Sequence, residues 1–180
     1  MIFTYNEVKR KYESDYKISK ALKSKKIYKI EKGIYSDKEF VDYIEIINKK
    51  YPKAIFARDS AFYMHNLTDV IPRKYELATE RNANKIVNKR INQIFVLGSI
   101  FEMGKIKMIY EGKEISIYDK ERMLVELIRN QKTMPFDYYK EIANNYRKIA
   151  EELNMRKIER YISQFKNDYF ILKTMQKEIF

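Results

Sequence analysis

Cysteine and tryptophan are absent from this chain, and histidine occurs once. Without cysteine there is no disulfide and no thiolate metal site. With a single imidazole, zinc catalysis or a Ser-His-Asp triad would rest wholly on His65. Its setting, Tyr63-Met-His-Asn-Leu67, holds no activated-nucleophile pattern and predicts a packed or hydrogen-bonded histidine near a helix end. Neither GxGxxG nor GxxxxGK[ST] occurs, so both glycine-rich phosphate cradles are missing. Only 4 glycines and 3 prolines are present, too few for a long flexible linker. No run approaches the roughly 18 consecutive apolar residues of a membrane span. The first ten residues are charged where a secretory signal is apolar. These absences fit a cytoplasmic protein without a membrane partner.

What is present points elsewhere. A hydrophobic content of 45% with 14% aromatics supplies enough apolar surface for a folded core. The net charge is +12, from 37 basic and 25 acidic residues, and it is unevenly spread. Residues 1–35 hold ten Lys/Arg against four Asp/Glu, a net of +6 in a fifth of the chain. That asymmetry predicts an anionic partner at this end, with nucleic acid ahead of membrane or acidic protein.

The charged end has a readable plan. Thr4-Tyr-Asn-Glu7 has capping-box spacing and predicts a helix to about Tyr12, with Tyr5, Val8 and Tyr12 on one face. Glu13-Ser14-Asp15 breaks and re-caps the chain. With Asp15 as N-cap and 100° per residue, Ile18, Ala21 and Leu22 share one face of a second helix. Tyr16, Ser19, Lys20 and Lys23 fall opposite, with Lys17 and Ser24 at the edge. After Lys26 the period shortens to two: Ile27 to Ile30, a turn at Glu31-Lys-Gly33, then Ile34-Tyr35. Two short helices and a β-ribbon are the skeleton of a winged helix-turn-helix. In that frame Tyr16, Lys17, Ser19, Lys20, Lys23 and Ser24 form the DNA-reading face. Lys25 and Lys26 at the helix end, and Lys29 and Lys32 on the wing, would hold phosphates.

Farther on, Ser36-Asp-Lys-Glu39 reads as a second capping box. It would open a helix to about Lys50 with Phe40, Val41, Ile44 and Ile47 inward, ended by Tyr51-Pro52. A domain boundary is expected there, between a DNA-binding domain over 1–52 and a second domain over 53–180. Strands are predicted at Ala54–Ala57, Tyr75–Thr79 and Gln93–Ser99, with a helix over Ser60–Leu67 and a polar loop over 80–92. Ile106–Tyr110 and Glu114–Tyr118 flank a glycine turn as a hairpin. Four helices follow: 120–131, then one capped by Asp137 and running to Leu153, one capped by Asn154, and one capped by Asp168. The class is α+β, with a few antiparallel strands ahead of the C-terminal helices.

Val96-Leu-Gly-Ser99 is the one enzyme-like feature, because a strand ending in Gly-Ser opens nucleotidyltransferase sites. Magnesium there requires two carboxylates on one face of the next strand. Glu111 and Glu114 are three apart and point to opposite faces. No acid, base or metal set converges, so no catalytic residue, cofactor or metal is expected. Asp119-Lys-Glu-Arg122 reads as an N-cap with a helix-start ion pair, Arg122 anchoring between lobes.

Three segments carry a family resemblance in the right order. The basic helix with Lys25-Lys-Ile-Tyr-Lys-Ile-Glu-Lys-Gly-Ile-Tyr35 resembles the recognition helix and wing of the AbiEi antitoxins and transcriptional regulators of bacterial abortive-infection, type IV toxin–antitoxin systems. Ser60-Ala-Phe-Tyr-Met-His-Asn-Leu-Thr-Asp69 is similar to that family's alanine-rich helix and leucine turn. Ile115 to Arg129, with Glu121-Arg-Met-Leu-Val-Glu-Leu-Ile-Arg129, resembles the strand and helix start of its C-terminal domain. The chain departs in having two helices, not three, before the wing. The resemblance implies an autorepressor that binds inverted repeats in double-stranded operator DNA and counteracts a nucleotidyltransferase toxin. The alternative is a protein-binding antitoxin or adaptor whose basic lobe and tyrosine-rich C-terminal helices, with Tyr138, Tyr139 and Tyr169 partly exposed, engage an acidic protein.

Overall fold

A computed structural model describes residues 1–180. The protein is α+β and divides into two compact units, Met1–Lys53 and Ala54–Phe180. No helix is long and apolar enough to cross a membrane.

The first unit runs β1 (Ile2–Thr4), α1 (Tyr5–Tyr12), α2 (Asp15–Lys23), β2 (Tyr28–Glu31), β3 (Ile34–Ser36) and α3 (Tyr43–Lys50). Its three strands form an antiparallel sheet in the order β1-β3-β2. β1 has no counterpart in the sequence reading, because three residues show no period. Thr4 and Glu7 form a capping box at the start of α1, each side chain accepting from the other's backbone N–H. The core is Val8, Ile18, Ala21, Ile27 and Tyr35, with Phe3, Tyr12 and Leu22 packed against it. These are the apolar faces of both helices closed by the ribbon. Tyr5, assigned to the same face as Val8, is instead exposed and donates its hydroxyl to Asp15.

Two caps lie elsewhere than the spacing suggests. Ser14, not Asp15, caps α2: its Oγ accepts from the Lys17 N–H at 3.2 Å. Asp15 is the first helical residue and pairs with Lys9 at 2.8 Å. The Ser36–Glu39 capping box does not form. Ser36 ends β3, fully buried between Ile2 and Tyr28, so its backbone belongs to the sheet. α3 therefore starts at Tyr43 behind an Asp42 cap, and Phe40 is 87% exposed, not part of the core.

The second unit holds β4 (Ile55–Phe56), α4 (Arg58–Met64), β5 (Tyr75–Glu80), β6 (Ile91–Val96), α5 (Gly98–Phe101), β7 (Lys105–Tyr110), β8 (Lys113–Tyr118) and α6 (Lys120–Asn130). α7 (Phe136–Lys148), α8 (Met155–Ile162) and α9 (Asp168–Glu178) complete it. The strands were expected to be antiparallel, but the sheet is mixed. Its order is β6-β5-β4-β8-β7, with β4 parallel to β8 and β5 parallel to β6. A crossing loop between Glu80 and Ile91 returns the chain to the same end of the sheet, which makes β5 and β6 parallel. The centre is a two-residue strand whose Ile55 and Phe56 are almost wholly buried.

Several boundaries also shift. α4 starts at Arg58, and the Oγ of Ser60 inside it accepts from the Glu76 N–H at 2.8 Å. β6 ends at Val96, and Gly98–Phe101 is a single helical turn where strand was expected. α7 begins behind Pro135 with Asp137 already in its first turn, and ends at Lys148; Ala150–Glu152 is a separate 3-10 turn. α9 begins behind Asn167 in the left-handed region, with no side-chain cap from Asp168.

Candidate nucleic-acid interface

α2 presents its apolar residues to the core and its polar face to solvent. Ile18 and Ala21 are buried and Leu22 is half-buried, while Tyr16, Lys17, Ser19, Lys20, Lys23 and Ser24 are all exposed. Tyr16 is 78% exposed and leads the polar face. Lys17 is tied to Glu13 at 2.5 Å, one turn back. Ser24 closes the helix, its Oγ donating to the Ala21 carbonyl at 3.3 Å.

The helix end turns sharply. Lys26 donates its N–H to Ala21 O and Lys25 to Leu22 O, the paired bonds of a Schellman motif, with Lys25 at φ 55°. A lysine in the left-handed region costs about 1 kcal/mol relative to glycine. The turn sends the chain straight into β2 and leaves both lysine side chains exposed. In the ribbon, Gly33 has φ 82°, the positive value its tight turn requires. A bulge between Lys29 and Glu31 interrupts the pairing with β3. Lys29 and Lys32 project into solvent.

The electrostatics of this unit depend on where its acids go. All four carboxylates within residues 1–35 are paired. Glu13 and Asp15 take Lys17 and Lys9. Glu7 takes Lys49 at 2.7 Å and Glu31 takes Lys50 at 2.6 Å, both from α3. The hydrogen bond from Lys49 leads the causes that hold the Glu7 carboxyl down at about 2. Lys17 likewise lowers Glu13, and Lys9, then Tyr5, lowers Asp15. Lys20, Lys23, Lys25, Lys26, Lys29 and Lys32 are left without a carboxylate partner. The neutralising role of Lys49 and Lys50 was not visible in the sequence. They lie 42 and 19 residues from their partners, and no local spacing announces such pairs.

The other residues singled out for chemistry serve the fold. His65 caps the end of α4, with Nε2 2.7 Å from the Tyr118 carbonyl, and burial lowers its pKa. Glu111 sits in the β7–β8 turn and Glu114 pairs with Lys107 across that hairpin. Asp119 caps α6, accepting from the Arg122 N–H at 2.8 Å and the Tyr161 hydroxyl at 2.9 Å. Arg122 finds its partners within the second unit: Glu126, the Ile100 carbonyl and the rings of Tyr118 and Phe165. Of the three tyrosines offered as a docking face, Tyr169 is 74% exposed but Tyr139 is buried. The Tyr138 hydroxyl is buried too, and that burial, with the neighbouring Asp59, raises its pKa. No group of three or more His, Asp or Glu side chains is placed to hold a metal ion.

No protein-family model matches the chain, and no curated protein matches it.

Proposed function

We propose that this protein is a sequence-specific binder of double-stranded DNA, and that residues 1–52 act as a winged helix-turn-helix. One observation carries the reading: six exposed lysines without acidic partners cluster on α2, its terminal turn and the β2–β3 ribbon. An unpartnered cationic surface of this kind is suited to replace counterions along a phosphate backbone. α2 is the reading element, with Tyr16, Ser19, Lys20 and Lys23 toward base edges and Lys17 flanking. Lys25, Lys26, Lys29 and Lys32 hold phosphates on either side. Phosphate contacts set register and base contacts set sequence, so the two groups have separable signatures.

The AbiEi-like order of segments supports a narrower reading: an antitoxin that represses its own operon through inverted repeats and counteracts a nucleotidyltransferase toxin. The protein-adaptor alternative loses support with the burial of Tyr139 and of the Tyr138 hydroxyl.

The test is a mobility shift on the DNA upstream of the gene with K20E/K23E. Both positions are exposed, so the variant keeps the fold, verified by circular dichroism. The reading predicts loss of the shifted band for K20E/K23E. Undiminished binding by the folded variant would sink it.

A further inference from the structure

The second unit carries a cationic surface of its own, arranged around the 3-10 turn Gln131–Thr133 that follows α6. On one side of the turn a cleft of about 880 Å³ opens between the end of α6, α5 and the start of α9. On the other, a cleft of about 480 Å³ runs along α7. Gln131 and Lys132 line both, so the two clefts share a wall.

The linings are one-sided in charge. Arg129, Lys132 and Lys166 line the first cleft, and no carboxylate does. Lys132, Lys140 and Arg147 line the second, against Glu178 alone. Glu178 is already occupied, its carboxylate accepting from the Tyr139 hydroxyl at 2.5 Å. Arg129 is set in place by Glu126 at 3.0 Å and by the Phe165 ring, whose centroid is 3.7 Å from its guanidinium. Lys132, Lys140 and Lys166 have no carboxylate partner. Each cleft also holds a phenyl ring that the core leaves out. Phe170 is 47% exposed in the first, and Phe136 is 67% exposed in the second, with Lys140 Nζ 4.8 Å from its centroid.

Cations and open rings in adjoining clefts call for a ligand with repeated negative charge and repeated flat faces. Duplex DNA has the charge but keeps its base faces stacked. An acidic peptide has the charge but no flat ring at each step. A single strand of nucleic acid supplies both, and grooves that take it combine backbone-tracking cations with aromatic platforms.

We infer that these adjoining clefts bind single-stranded nucleic acid, with bases stacked on Phe136 and Phe170 and phosphates held by Lys132, Lys140 and Lys166. The site is separate from α2 and does not rest on the duplex-binding reading.

The experiment is fluorescence anisotropy on the full chain with labelled oligouridylate and oligothymidylate of about 12 nucleotides, within the span of such grooves, at near-physiological salt. F136A/F170A removes two solvent-exposed rings and keeps the fold. It lowers single-strand affinity by about tenfold or more, as base–aromatic stacking magnitudes require, and leaves the duplex shift unchanged. K132E/K166E weakens single-strand binding as well. K20E/K23E, which tests the duplex reading, changes no residue that lines either cleft and leaves single-strand binding within about threefold. Three outcomes overturn the inference: no single-strand binding by the wild type, binding unaffected by F136A/F170A, or binding abolished by K20E/K23E. Release of a copurifying acidic protein by K132E/K166E, with no strand bound, overturns it too and gives the groove to a polypeptide.

Discussion

Glu7 is half of a capping box and half of an ion pair, and its two roles reinforce each other. Lys49 Nζ lies 2.7 Å from one carboxylate oxygen, and the Thr4 N–H and hydroxyl lie 2.7 and 2.9 Å from the other. All three donors favour the charged form, which brings the pKa to about 2 from 4.5. The folded value lies below the unfolded one. Its stabilisation is therefore complete above about pH 4.5 and is lost as pH falls through about 2. The raw shift corresponds to about 3 kcal/mol. Since 36% of the Glu7 side chain meets solvent, screening reduces this to about 1 kcal/mol. Glu7→Gln is thus expected to cost the first unit about 1 kcal/mol at neutral pH, and the gap to the wild type closes only as pH falls below about 2. Hydrogen exchange of amides in residues 1–53 measures this directly; equal protection of the two proteins at pH 7 contradicts it.

At the scale of elements, the start of α2 separates two residues that spacing alone confuses. Ser14 and Asp15 are both common N-cap types, and both precede the apolar stripe. Ser14 holds the cap, while Asp15 joins α2 to α1 through Lys9 and the Tyr5 hydroxyl. Ser14→Ala is expected to cost about 1 kcal/mol, the usual loss of a serine cap. Asp15→Ala, which removes only exposed contacts, costs less. Urea unfolding followed by tyrosine fluorescence ranks the two, and the opposite order returns the cap to Asp15. Much of the first unit was legible at this scale. The capping box at Thr4, the Ile18–Ala21–Leu22 face and the turn at Gly33 are local patterns within one or two turns of chain. The start of α3 was not legible, since Ser36 has the right spacing for a cap but its backbone is taken by β1 and β2.

For the whole molecule, charge is the property that links fold to partner. If the six unpaired lysines neutralise phosphates, affinity for duplex falls steeply with salt. Lys29→Gln and Lys32→Gln are each expected to flatten the slope of log K against log salt by about one unit and to weaken all sequences alike. Titrations on operator and on unrelated duplex at three salt concentrations check this. A ribbon variant that changes sequence preference and leaves the slope intact places those lysines away from the backbone. The candidate interface was readable in outline, because exposure on a short amphipathic helix follows from period alone. Its net strength was not, since that depends on which cations the carboxylates consume.

Local pattern is sufficient for α1, α2, the ribbon, the β7–β8 hairpin and the polar face of α2. Each follows from interactions between residues a few positions apart, so backbone period and turn chemistry suffice. Tertiary structure alone decided the rest. It made β1 a strand by pairing it with β3, and it set β4 parallel to β8 some sixty residues away. It assigned Lys49 and Lys50 to Glu7 and Glu31, which freed the lysines of α2 and the ribbon. It also brought α6, α7 and α9 together around a cationic groove. Contacts of that kind join residues far apart in the chain, and no local pattern encodes which distant partner a strand edge or a carboxylate will find.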